Sequence, residues 1–228
     1  MKASRLHRWD VSLAEARAIQ EGLRREVELR DRMGKVRTLA GADAAIDAAR
    51  GRIIAGVILY EFPSMNELER TSAEAPLRFP YVPGLLSFRE APALLLAFSK
   101  LRYDADVILF DGQGIAHPRR FGLACHMGVM LDRATIGCAK SRLCGAHREP
   151  AAQAGSWTPL RDGDVIGAAL RTRSGVKPVY VSPGHRISLA RAIDLTLAVC
   201  DGTRIPKPTR EADRYVEEMK RRLRNQGR

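Results

Sequence analysis

At 228 residues, 45% apolar but only 6% aromatic, the chain has room for one large domain whose core must be built mainly from aliphatic side chains. Its 38 Lys and Arg against 26 Asp and Glu leave a formal charge of +12, which suits a polyanionic partner, nucleic acid above all, the bland alternative being a merely basic surface. No apolar run approaches the ~20 residues of a membrane helix; the charged N-terminus carries no signal-peptide stretch; and Cys125, Cys138, Cys144 and Cys200 form neither a CxxC pair nor a zinc spacing, so they read as reduced thiols of a cytosolic protein.

In chain order, the spacing of Leu13, Ala16, Ile19, Leu23 and Val27 behind a capping Ser12 predicts a helix over residues 12–30. Strands follow at 36–43 and, rich in β-branched residues, at 52–62; a weaker, more polar one is expected at 70–79. Residues 92–101 have helical composition with Pro92 in the first turn. The apolar run 105–110 suits a central strand covered on both faces. A helix is expected at 122–131, a strand at 135–139, two strands at 164–173 and 177–182 joined by a turn at Ser174-Gly175, a helix at 188–200 and a basic helix at 210–224. Residues 145–164 read as the least structured stretch. Strands that come first as a hairpin group and later alternate with helices predict an α/β protein with a mixed sheet.

Three carboxylates stand where chemistry is expected. Asp43 closes the first predicted strand, Asp111 closes the central one and is followed by Gly112 and Gly114, and Glu90 follows an irregular Pro/Gly segment. Sites in open α/β sheets lie beyond the carboxyl ends of strands, and Mg²⁺ takes carboxylate oxygens together with water and substrate phosphate. Each acid has an ordinary reading too, as a turn former, cap or solvated charge, and Asp47, Asp104, Asp106 and Asp132 are equally available.

Six motifs narrow the choice. They are GAD at 41–43, PYVPGLLSFRE at 80–90, DGQGIAHPRRFGLACHMG at 111–128, TIGCAK at 135–140, GHR at 184–186 and PTREAD at 208–213. Together, and in this order, they resemble the endonuclease V family over roughly residues 36–213; only the N-terminal helix and the basic tail lie outside. The resemblance implies a single domain with a ribonuclease H-like fold, a mixed β-sheet flanked by helices. It implies that Asp43, Glu90 and Asp111 are the catalytic, metal-binding acids, with Asp213 near the metal, a role that rests on resemblance alone. Mg²⁺, or Mn²⁺ in its place, is the implied cofactor. Lys140 would contact a phosphate, against the ordinary reading of a surface lysine. Gly84, Leu86, Gly112, Leu123 and Gly137 look like the pocket for a flipped base, and Pro80, Tyr81, Val82 and Pro83 like the wedge that fills the vacated stack. His117 and His126 are expected to support the site from behind rather than to carry protons. The implied activity is that of a monomeric, cytoplasmic DNA-repair nuclease that cuts the second phosphodiester bond 3′ to a deaminated base (deoxyinosine), leaving 3′-hydroxyl and 5′-phosphate ends. The rivals are an inosine-specific ribonuclease acting on RNA and a noncatalytic basic binding module.

Overall fold

A computed structural model of the chain describes residues 1–3 and 7–226. Helix α1 (Leu13–Leu23) starts at a capping box: the Glu15 N–H donates to Ser12 Oγ at 3.3 Å, and the Ser12 N–H to Glu15 Oε2 at 2.7 Å. It ends seven residues before the predicted limit, after which Arg24–Glu26 make a single 3-10 turn. Beyond the turn the chain is captured by the end of a distant strand, the Glu28 N–H donating to His185 Nδ1 and the Arg186 N–H to the Glu28 carbonyl at 2.6 Å. Long-range pairing overrides local helical spacing there.

Strands β1 (Thr38–Asp47), β2 (Arg52–Glu61) and β3 (Glu67–Pro76) form an antiparallel meander. Helix α2 (Leu86–Ser99) precedes the short β4 (Val107–Phe110), and α3 (Leu123–Leu131) leads into β5 (Ala134–Ala139). Strands β6 (Trp157–Asp162), β7 (Asp164–Leu170) and β8 (Val179–His185) precede helices α4 (Leu189–Ala198) and α5 (Lys207–Gln226). All eight strands join in one sheet ordered β3-β2-β1-β4-β5-β8-β7-β6, parallel only where β4 pairs with β1 and with β5. The expected mixed sheet flanked by helices is present. Strand β6 lies in the stretch expected to be least structured; the right-hand edge of the sheet recruits it by pairing with β7.

Helices α2 and α3 cover one face through Ala91, Leu94, Phe98, Met127 and Leu131, packed on Ala42, Ile53, Val57, Ile108 and Phe110. Helix α4 covers the other with Ala192, Ile193 and Leu195 against Leu109, Ile136, Leu170 and Val181. Helix α5 lies on that second face across β1 and β2. It approaches so closely that a Cβ on Gly41 would sit 2.1 Å from the Pro208 carbonyl oxygen, and one on Gly56 would sit 2.7 Å from a Val216 methyl. All nine residues of α3 are buried, so this helix is enclosed on every side. The four cysteines are free, Cys125 and Cys138 buried. No described helix is long and apolar enough to cross a membrane.

Candidate active site

The sheet register brings the acids together. Parallel pairing sets Ala42 opposite Phe110, so the next residues, Asp43 and Asp111, stand level on neighbouring strands. Asp43 does not close β1 as the sequence suggests. It is the sixth of ten residues, because the hairpin with β2 carries the strand on to Asp47 after β4 has ended. Glu90 is likewise not in an irregular segment. It is the fifth residue of α2, which begins at Leu86 and accommodates Pro92 in its interior rather than at its start. Asp213 arrives on α5, which Gly41 admits to the surface of β1.

Burial and mutual repulsion act on this group. Asp43 is pushed well above the usual carboxylate range, first by burial and then by the charges of Asp111 and Asp213. Glu90 is pushed up to about 8, first by burial and then by Asp43 and Asp111. The counter-charge is Lys140, which directly follows β5; its Nζ lies 2.6 Å from Asp111 Oδ2 and 3.9 Å from Asp213 Oδ1. Among the described residues, no three acid, histidine or cysteine side chains are gathered as a ready-made metal cage. The donor set is nonetheless all oxygen and under-neutralised, the chemistry of a hard divalent cation that keeps water and shares substrate oxygens instead of being enclosed by protein.

Asp111 and Lys140 also border a cavity of about 330 Å³, within the usual range for small-molecule sites, roughly 300–1,000 Å³. One wall is Tyr81 to Gly84 with Leu86, another is Gly112, Gln113 and Leu123, and the third is Ala139 to Leu143. Of the residues predicted for a base pocket, Gly84, Leu86, Gly112 and Leu123 line it. Gly137 does not: it is buried in β5, where a Cβ would meet the Gly114 backbone nitrogen at 2.3 Å, and its smallness admits the loop that forms the wall. Sequence reasoning missed Gln20, Ser141, Arg142 and Leu143. The last three follow a strand's carboxyl end, a signal that was present; Gln20 lies on a helix turned inward and gave none. The Gln113 amide donates to the Ser141 carbonyl at 3.0 Å and ties two of the walls together.

The wedge segment is a stiff turn on the rim. The Leu85 N–H bonds to the Val82 carbonyl at 2.9 Å, Pro83 occupies the second position and Gly84 the third with φ of +80°, the pattern of a type II turn, which needs glycine there. Tyr81 projects from this turn with 69% of its surface exposed, and the Arg89 guanidinium lies 5.9 Å from its ring centre. His117 has both nitrogens committed, Nε2 to the Gly84 carbonyl at 2.9 Å and Nδ1 to the Arg119 N–H at 3.1 Å, and burial lowers its pKa to about 4. It is a neutral brace for the turn. His126, fully buried, bonds to Ser87 Oγ, on a residue that borders the cavity, and to His7 behind it, and burial holds it well below the usual imidazole range.

Comparison with known proteins identifies the family and the fold. Residues 21–214 match the family model for endonuclease V. The chain is 51% identical to the endonuclease V of Roseiflexus castenholzii over 214 residues, 93% of this chain and 96% of that one. The crystal structure of endonuclease V from Streptomyces avermitilis superposes with a TM-score of 0.90 at 41% identity, covering 94% of this chain and 96% of that one. A Ciona intestinalis endonuclease V, crystallised in complex with a 23mer DNA containing an inosine followed by a ribo-adenosine, superposes with a TM-score of 0.81 at 27% identity over 92% of this chain and 98% of that one. With its ribonuclease H-like sheet, Asp43 within β1 and Asp111 just past the end of β4, the chain belongs to the endonuclease V family of phosphodiester-hydrolysing nucleases.

Proposed function

We propose that this protein is a divalent-metal-dependent, DNA-repair endonuclease that recognises deoxyinosine and nicks the same strand at the second phosphodiester bond on its 3′ side, leaving 3′-hydroxyl and 5′-phosphate ends. The observation that carries this reading is the junction at Asp111 and Lys140, where an under-neutralised acid cluster opens onto a cavity of about 330 Å³ beside a protruding tyrosine. The related Ciona protein, bound to inosine-containing DNA, supports the choice of lesion and of DNA. The uninterrupted eight-stranded sheet supports action as one domain, and we take the working unit to be the monomer.

Asp43 and Asp111 would hold the cation, Mg²⁺ or Mn²⁺, with Glu90 and Asp213 completing its surroundings. When bound, the ion would supply positive charge that stabilises the departing oxygen and would ease deprotonation of the attacking water, which makes it the better nucleophile toward phosphorus. Glu90, held high by burial and by the charges of Asp43 and Asp111, would position the cation or the attacking water, a role that calls for its ionised form once positive charge offsets its acidic neighbours. Lys140 is suited to leave Asp111 for a phosphate oxygen once substrate and cation arrive. Tyr81 would occupy the stack vacated by a base turned into the cavity, with Pro80, Val82 and Pro83 keeping its backbone stiff. Gly84, Leu86, Gly112 and Leu123 would enclose that base, and His117 would hold the turn in place.

The deciding experiment uses purified protein with an end-labelled duplex bearing a single inosine, with and without Mg²⁺. Mg²⁺-dependent nicking one nucleotide beyond the inosine is the expected result. A matching inosine-containing RNA distinguishes the ribonuclease reading, and binding without cleavage of any substrate would leave only a basic binding module.

A further inference from the structure

Gln20 is a buried amide, 1% exposed, on the inward face of α1, one residue before the stretch that matches the family model. Its side chain is fully used. The amide nitrogen donates to the carbonyls of Gly84 and Phe121, both at 3.1 Å, and the amide oxygen accepts from Arg119 Nε at 2.6 Å. Arg119 turns its other arm back to the Gly84 carbonyl at 2.6 Å, and His117 donates to the same oxygen at 2.9 Å. One carbonyl therefore receives three donors, at the position of the wedge turn where φ is positive. Hydrophobic contacts alone would let that turn rock: the side chains beneath it, Val82, Phe79, Leu85 and Phe88, pack on Ala16, Ile19, Val11 and Trp9 without directional bonds. Gln20 supplies direction, and it joins three separate chain segments around one wall of the cavity.

We infer that Gln20 is a positioning residue for lesion recognition, fixing the Gly84 turn and the Arg119 guanidinium so that the base cavity and the Tyr81 wedge are preformed before DNA arrives. The inference rests on the reading of the cavity as a base pocket. It gives α1 a specific function in an enzyme whose acids all lie elsewhere. A glutamine suits this place because the three-way junction needs one acceptor and two donors on a single rigid plane. Glutamate offers only acceptors to two carbonyls, and leucine fills the space with neither. Loss of preorganisation shows in recognition and not in the chemical step, since the acids and Lys140 make no contact with the network.

The test compares wild type, Gln20→Leu, Gln20→Glu and, as a control that loosens α1 at an exposed position without touching the amide or the packing beneath the turn, Ala18→Gly. Nicking of an inosine duplex is measured for KM and kcat, affinity for an undamaged duplex is measured alongside, and the Gly84 and Leu85 amide shifts are followed by NMR without DNA. Expected are a KM raised about tenfold in Gln20→Leu and Gln20→Glu, a kcat close to wild type, unchanged affinity for undamaged duplex, and displaced Gly84 and Leu85 resonances. Ala18→Gly should lower the melting temperature and leave KM alone. Wild-type KM in Gln20→Glu would show that the donors are dispensable and overturn the inference, as would equal KM changes in Gln20→Leu and Ala18→Gly. If wild type itself handles inosine and undamaged duplexes alike, the base-pocket reading fails and the role of Gln20 falls with it; if wild type discriminates and Gln20→Leu discriminates equally, only Gln20 is refuted.

Discussion

Lys140 Nζ stands 2.6 Å from Asp111 Oδ2, an ion pair formed across the gap between the ends of two parallel strands. Its partners compete: any cation drawn to Asp111 must displace the ammonium, and the ammonium in turn limits how far the acids repel one another.

Removing the lysine should therefore have two opposite effects. In Lys140→Gln the half-saturating Mg²⁺ concentration falls, because Asp111 is freed of its competitor, while nicking at saturating Mg²⁺ falls because a phosphate contact is lost. A Mg²⁺ titration of the nicking rate reads both at once. A higher half-saturating concentration in the variant would show that the pair does not compete with the metal.

Asp111→Asn should lower nicking on the order of 100-fold or more, the lower end of what a positioned catalytic group contributes. Asp43→Asn should behave alike and Glu90→Gln less completely. Binding of the inosine duplex, measured by gel shift, should survive in all three, since the cavity and the basic surface are intact. Wild-type nicking by Asp111→Asn would remove the acid cluster from the mechanism.

The crowded acids make a prediction about pH in EDTA. Asp43 and Glu90 are held above their unfolded values, so between about pH 4 and about pH 8 these two groups carry more protons in the folded chain than in the unfolded one, and their contribution to stability drops as pH rises through that window. Asp43→Asn should thus melt higher than wild type, by a gap that widens from about pH 5 to about pH 9. Millimolar Mg²⁺ should narrow the gap at high pH by stabilising wild type alone. A gap independent of pH would mean that Asp43 is not raised.

Tyr81→Ala should slow nicking of inosine in a duplex more than in a single strand, where there is little stacking to replace. Because the ring is 69% exposed, stability should hardly change, within about 0.5 kcal/mol. Both nicking rates and the melting temperature are needed; equal losses on the two substrates would refute the wedge.

Affinity for undamaged duplex should fall steeply with salt, as expected when a chain of charge +12 releases counterions from phosphate. Inosine duplex should weaken in parallel yet keep its advantage at every salt concentration. A flat salt dependence would mean that the charge is not directed at the backbone of DNA.

What the sequence conveyed depended on how strongly each segment encodes its own conformation. The β4 run VILF and the glycines after Asp111 are local signals, and both the strand and the loop lie where they predict. Strand β1 is written in Ala and Gly, with little hydrophobic alternation past Asp43, so only its pairing with β2 reveals that it continues to Asp47. Pro92 misplaced the start of α2: a proline is commonest in a first turn, but here the helix begins at Leu86 behind the Pro83–Gly84 turn and carries Glu90 within it. Of the acids, Asp213 was legible only through family likeness, because nothing local announces that α5 will fold back over β1. Gln20 was hidden for the same reason, its partners lying 64 and 101 residues away.

The contact between Gly41 and Pro208 has a bearing on engineering. A single added methyl at position 41 would meet the Pro208 carbonyl at 2.1 Å, and backbone cannot yield as a flexible side chain can. The helix would have to lift, carrying Asp213 away from Lys140, while its outer end stays fastened by Arg224, whose guanidinium grips the wholly buried Asp47 at 2.9 and 3.1 Å. So α5 behaves as a plank clamped at one end and resting on a fulcrum of empty space at the other. Changes of residue size on the back of the sheet are transmitted to the acid cluster, and a library that spares every acidic residue can still detune the enzyme through a glycine that never meets DNA.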